Sequence, residues 1–114
     1  MTESEIYAVN LHMARLTGWP DWYFVGYPEL IELYVDGKWS RLWNPWEDEG
    51  QCAIVRDRLI ETGRIYYYEL SSFRKGEWGC QVSTEPDDHY NPLEGGETPA
   101  QAMCRAFVKL EVAT

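Results

Sequence analysis

The stretch RIYYYELSSFRKGEWGCQVST, residues 64–84, decides the fold class of this chain. It contains two runs of strand-forming residues joined by an Arg-Lys-Gly turn at 74–76, which is the pattern of an antiparallel hairpin. Side chains alternate between the two faces of a strand, and both faces of the first run carry large rings, Tyr67 on one and Tyr68 on the other. Apolar bulk on both faces predicts a sheet that is covered on both sides.

A second hairpin is predicted upstream. The runs LIELYV (residues 30–35) and KWSRLW (residues 38–43) flank Asp36-Gly37, a strong signal for a two-residue hairpin turn. The preceding GWPDWYFVGYP (residues 18–28) is broken by Gly and Pro, so we interpret it as a structured loop or a short edge strand.

Three segments carry helix-start signals, each a capping side chain followed three residues later by Glu or Gln. The pairs are Thr2 with Glu5, Asn44 with Glu47, and Thr98 with Gln101. Pro45 and Pro99 suit the first helical position, while Gly18 and Gly63 end the first two helices. The sequence therefore predicts one α+β domain over 1–114, in the order helix, hairpin, helix, hairpin, helix. The expected architecture is a small antiparallel sheet with helices packed on both faces, an αβα sandwich.

Composition narrows the possible partners. The 114 residues include 10 Lys and Arg against 19 Asp and Glu, giving a formal charge of −9. Nucleic-acid and anionic membrane surfaces call for clustered basic residues, so direct binding to either is not expected, whereas a basic partner is. No apolar run is long enough to span a bilayer, and the N-terminus lacks the pattern of a secretory signal, which favours the cytoplasm.

Residues suited to catalysis are few. His12 lies within the first predicted helix, and Asp87, Asp88 and His89 form a weak candidate metal site in an acidic loop predicted over 85–97. The cysteines are odd in number, three, and widely spaced without a CxxC pair, which favours reduced, packed thiols. Motifs of hydrolases, zinc proteases and nucleotide-binding loops are absent, so the chain is predicted to be neither an enzyme nor a cofactor protein.

Aromatic residues are unusually dense between residues 19 and 46. One interpretation places these rings in the core. The other leaves several exposed as a docking surface with neighbouring acids, because Trp and Tyr are frequent binding hot spots. The candidate binding residues are Trp39, Trp43, Trp46, Asp36, Glu47 and Asp48.

Three segments together resemble the phage ABA sandwich domain, a family of short proteins from phages and prophages. They are Gly18 to Pro20 at the end of the first helix, NPWEDEGQCAIVRDRLIETG (residues 44–63), and ETPAQAMCRAF (residues 97–107), the most specific of the three. The resemblance implies a small αβα sandwich of phage origin and supplies no catalytic residues. It leaves residues 21–42 as a Trp-rich elaboration, which departs from the family pattern.

These observations favour a phage or prophage accessory protein that acts by binding in the host cytoplasm. The expected partner is a host protein with a basic surface, such as a defence component, which the acidic and aromatic surface would inhibit. The alternative is a small-molecule-binding protein, as a homo-oligomer, with Trp and Tyr stacked on a planar ligand. A metal enzyme using Asp87, Asp88 and His89 is a weaker third hypothesis.

Overall fold

The computed structural model describes residues 1–18, 22–25, 30–35, 38–86 and 90–111. Within these ranges the chain forms three helices and six strands. In chain order they are α1 (Glu3–Leu16), β1 (Trp22–Val25), β2 (Leu30–Val35), β3 (Lys38–Leu42), α2 (Glu49–Glu61), β4 (Tyr67–Arg74), β5 (Glu77–Ser83), β6 (Glu94–Gly96) and α3 (Pro99–Phe107). The predicted α+β class is confirmed.

The strands form two antiparallel sheets of three strands each. The first sheet has the order β1-β2-β3, and the segment predicted as a loop or edge strand supplies its edge strand β1. The second sheet has the order β4-β5-β6, and its hairpin turns at Gly76, whose φ of 76° lies in the left-handed region that favours glycine. Residues 21–42, expected as an elaboration, thus contain the first sheet.

Helix α1 begins and ends where the sequence predicts. The Thr2 hydroxyl accepts the Glu5 backbone N–H at 3.2 Å, and the Glu5 carboxylate accepts the Thr2 backbone N–H at 3.4 Å, so the capping box is confirmed. Gly18, with φ of 72°, follows the last turn. The helix buries Met13, Ala14 and Leu16 against the rest of the molecule.

Helix α2 begins later than predicted. Its cap is Asp48, whose carboxylate accepts the Gln51 backbone N–H at 3.0 Å, and not Asn44. The Asn44 carbonyl instead accepts the Asp48 N–H at 2.9 Å, which closes a separate turn over residues 44–48. Contacts of this turn with α1, described below, hold it away from the helix axis.

Helix α3 is capped as predicted by Thr98, which accepts the Gln101 backbone N–H at 3.1 Å. The Gln101 side chain closes the cap one residue earlier than predicted, on the Glu97 N–H at 3.3 Å. Its inward face buries Ala102, Met103, Ala106 and Phe107. This helix lies on the second sheet, and α1 and α2 pack against it from the other side.

The second sheet has one covered face and one open face among the described residues. Cys80 and Val82 of β5 are buried on the face that α3 covers. On the opposite face Tyr67 and Phe73 are exposed, where the alternation of large rings had predicted a second helical layer. The helices lie on one face because α1 and α2 bury their apolar sides against α3 and each other.

The predicted acidic loop over 85–97 contains a strand. Residues 94–96 form β6, which pairs with β5 through Trp78 opposite Gly96. A Cβ added at Gly96 would lie 2.5 Å from the backbone nitrogen of Ala102, so only glycine lets β6 approach the first turn of α3 this closely. Strand pairing therefore outweighs the loop-like composition of this segment.

One hydrophobic cluster joins the helices to both sheets. Ile31 of β2, Val55 and Leu59 of α2, Val82 of β5 and Phe107 of α3 are all buried within it. Among the described helices, none combines the length and apolar character needed to cross a bilayer.

Candidate functional site

The candidate site is a groove between the end of β3 and the first turn of α2. It is shallow and largely open to solvent, has a volume of about 770 Å³, and is lined by Leu42, Asn44, Glu47, Asp48, Glu49, Gly50 and Gln51. We call these residues the acidic groove. Three carboxylates and no basic side chain belong to its lining, and Leu42 contributes an apolar patch that is 48% exposed.

The backbone on both sides of the acidic groove is tied together by Gln51. Its side-chain amide donates to the Leu42 carbonyl at 3.0 Å, and its side-chain oxygen accepts the Asn44 backbone N–H at 2.6 Å. Gln51 is itself only 8% exposed, so these bonds are shielded from water. The wall of the groove is therefore fixed to the first turn of α2.

Asn10 on α1 makes hydrogen bonds to the segment that forms the groove. Its side-chain amide donates to the Asn44 side-chain oxygen at 2.9 Å, and its own oxygen accepts the Trp46 backbone N–H at 3.1 Å. Its backbone carbonyl also accepts the Trp43 indole N–H at 2.9 Å. Asn10 thus satisfies two polar groups of the turn that precedes α2, on Asn44 and Trp46, and the indole N–H of Trp43 just before it.

Trp43 and Trp46, predicted as candidates for an exposed docking surface, are buried. They are 4% and 5% exposed and belong to the core cluster, because α1 accepts the Trp43 indole N–H and the Arg105 guanidinium lies 5.4 Å from the centre of the Trp46 ring. The interpretation that places aromatic residues in the core is correct for both. Neither ring belongs to the lining of the groove.

The structure describes two of the four remaining candidate binding residues in full. Glu47 is exposed at the groove, where its carboxylate accepts the Asn44 side-chain N–H at 3.3 Å. Asp48 lines the groove and caps α2. Asp36 and the Trp39 side chain lie outside the described residues, although the Trp39 backbone pairs with Tyr34 in the first sheet.

Sequence reasoning missed Asn10, Leu42 and Gln51. Asn10 gave one available signal, because it is a polar residue three positions before buried Met13 and therefore on the inward face of α1. No sequence pattern marks Leu42 or Gln51, because their role depends on the packing of the end of β3 against the first turn of α2.

The three cysteines are free and buried in the core. The sulfurs of Cys52 and Cys104 lie 3.8 Å apart, and the Cys52 thiol donates to the Ala100 carbonyl at 3.7 Å. Burial, together with the neighbouring Cys52, raises the pKa of Cys80 to about 12. The hydrogen bond to Cys52, followed by burial, raises the pKa of Cys104 far above its usual range. These two thiols are therefore protonated and inert at neutral pH.

The remaining candidates for catalysis or metal binding are the two histidines and the aspartates next to His89. A ring nitrogen of His12, Nε2, lies 2.8 Å from the Leu110 carbonyl and ties α1 to the segment that follows α3. Asp87, Asp88 and His89 lie outside the described residues. Among the residues that are described, no cluster of three His, Cys, Asp or Glu side chains has an arrangement suited to a metal ion.

Comparison of the chain with protein-family models, with curated proteins and with solved structures gives no match. The resemblance to the phage ABA sandwich domain therefore stays a prediction from the three sequence segments.

Proposed function

We propose that this protein acts by binding a partner that presents basic side chains, and that the acidic groove is the point of contact. The observation that carries the proposal is the concentration of Glu47, Asp48 and Glu49 around an open groove on a chain of charge −9. A basic side chain placed there would meet carboxylates and could lay its aliphatic stem on Leu42.

The internal hydrogen bonds of the groove support a binding role. Gln51 and Asn10 fix the backbone of the turn before a partner arrives, so little conformational entropy would be lost on association. The carboxylates of Glu47 and Glu49 remain exposed and available. Rim charges of this kind speed association and give a strong dependence on salt.

Phage origin and inhibition of a host defence protein are the specific form of this proposal, and they rest on the sequence resemblance. The alternative, a planar ligand stacked on Trp and Tyr, loses Trp43 and Trp46 as stacking partners because both rings are buried, and the Trp39 side chain lies outside the described residues.

The test is capture of partners from a bacterial host lysate with the wild-type protein and with a Glu47→Lys/Glu49→Lys variant. We expect a stoichiometric partner that the wild type retains at low salt and releases at high salt, and that the variant fails to retain. The matched control is Glu85→Lys/Glu97→Lys, which makes the same charge change at exposed positions away from the groove.

If both variants fail to retain the partner, binding depends on the net charge of the protein and not on the acidic groove. That result would overturn the assignment of the groove. A partner that the wild type retains equally at low and high salt would overturn the electrostatic mechanism.

A further inference from the structure

Strand β4 forms an edge of the second sheet. It is eight residues long and, among the described strands, pairs only with β5. Proteins commonly protect such edges with Pro, Lys, short length or a bulge. The bulge of β4 lies near its end, between Ser72 and Arg74, so the run from Tyr67 to Ser72 is regular and open.

The open face of the sheet beside this edge is apolar at both ends of β4. At one end Phe73 (57% exposed) and Leu93 (48%) meet over Gly79, where an added Cβ would lie 2.7 and 2.9 Å from the two side chains. At the other end Tyr67 is 44% exposed and stands six residues from Phe73 along the strand. In a single copy of the chain, both apolar groups therefore leave much of their side-chain surface in contact with water.

We infer that β4 pairs in antiparallel fashion with β4 of a second copy, about a two-fold axis through Leu70. This pairing joins two three-stranded sheets into one continuous sheet. The strands overlap from Tyr67 to Phe73, and the bulge of each copy, at Phe73, lies at one end of the overlap. It places Tyr67 of one copy opposite Phe73 of the other, so that each Phe73–Leu93 group gains a ring from the partner. Because the axis is a two-fold, the same contact forms at both ends.

Charge selects this register over its neighbours. With the axis through Leu70, Glu69 lies opposite Ser71 of the second copy. Moving the axis to Glu69 would place two carboxylates opposite each other, which is destabilising. Moving it to Ser71 would place Glu69 opposite Phe73 and separate the aromatic pair.

The size of the contact sets its expected strength. An eight-residue antiparallel strand is about 27 Å long. Even with side chains on both faces, a contact of this length does not exceed the low end of specific interfaces, about 1,200 Å² in total, which is the range of weak, reversible association. We therefore expect a dimer that dissociates in the micromolar range. Each copy carries a charge of −9, so added salt should strengthen the dimer by screening repulsion.

Sedimentation equilibrium over a micromolar concentration series tests the dimer. We expect the wild type to associate, and Tyr67→Lys or Phe73→Lys to raise the dissociation constant about tenfold or more. The matched control is Ile60→Lys, at an exposed apolar position on α2, which should leave the association unchanged. A wild type that is monomeric at high micromolar concentration, or a control that weakens association equally, would overturn the inference.

Disulfide cross-linking tests the register. The native cysteines are buried, so an equal mixture of Glu69→Cys and Ser71→Cys proteins under mild oxidation should yield a cross-linked heterodimer. Each variant alone should cross-link poorly, because the two copies of one position are then diagonal neighbours about 7 Å apart. Absence of the heterodimer, or faster cross-linking of either variant alone, would contradict the axis through Leu70. The inference does not depend on the acidic groove, and the two salt responses have opposite signs.

Discussion

Asn10 shows how a single buried polar side chain positions the candidate site. It is 6% exposed on the inward face of α1, and both the nitrogen and the oxygen of its side-chain amide have partners in the turn that precedes α2. Two buried hydrogen bonds of this kind restrict the position of Asn44 and Trp46, because breaking either one would leave a donor or acceptor without a partner away from water.

We predict that Asn10→Ala lowers the free energy of unfolding by about 2 kcal/mol, because it leaves the Trp46 backbone N–H and the Asn44 side-chain oxygen without their Asn10 partners. Urea denaturation of both proteins measures the difference. Asn91→Ala is the control, since the Asn91 side chain makes no hydrogen bond to the described residues. Equal midpoints for wild type and Asn10→Ala would show that water replaces the Asn10 contacts.

At the scale of elements, close backbone approach decides how β6 joins the molecule. Composition alone makes residues 85–97 a loop, yet Glu94–Gly96 pairs with β5 and lies against the start of α3. The two adjacent glycines of β6 differ in their surroundings. A Cβ at Gly95 would make an ordinary contact at 3.6 Å, whereas a Cβ at Gly96 would collide with the backbone of α3 at 2.5 Å.

We therefore predict that Gly96→Ala destabilises the protein by about 2 kcal/mol or more, because backbone atoms of α3 cannot move aside as a flexible side chain could. Gly95→Ala is the matched control and should change the free energy of unfolding by less than about 1 kcal/mol. Thermal or urea unfolding of the two variants provides the comparison. If both variants lose the same free energy of unfolding, the close approach of Gly96 to the α3 backbone does not limit stability, and the prediction is wrong.

The whole molecule carries a large excess of negative charge. Within the part of the chain that the structure describes, the ion pairs Arg56–Asp57, Arg58–Glu61 and Arg74–Glu77 join residues close in sequence, and each has at least one well-exposed partner. Pairs of this type contribute little to stability. Repulsion among the remaining acids therefore opposes compaction.

We predict that added sodium chloride raises the midpoint of urea unfolding, because it screens this repulsion at separations beyond the Debye length, about 10 Å at 0.1 M salt. The Glu85→Lys/Glu97→Lys variant has a smaller net charge and should respond less. A midpoint that falls with salt would mean that attractive pairs outweigh the repulsion.

Local signals in the sequence were sufficient for much of the fold. Helix starts at Thr2 and Thr98, the turn at Gly76 and the α+β class all depend on interactions within a few residues, so neighbouring residue types encode them. The same is true of the overall charge, on which the proposed basic partner depends.

Tertiary contacts decided the rest. Asn10, 34 residues before Asn44, holds the preceding turn and leaves Asp48 as the cap of α2. Trp43 and Trp46 are buried because α1 and Arg105 of α3 contact them, which their own neighbours in sequence do not encode. The open face of the second sheet likewise follows from three helices packing together on the other side. The charge that a partner would meet was thus readable from the sequence, whereas the location and shape of the groove required long-range packing.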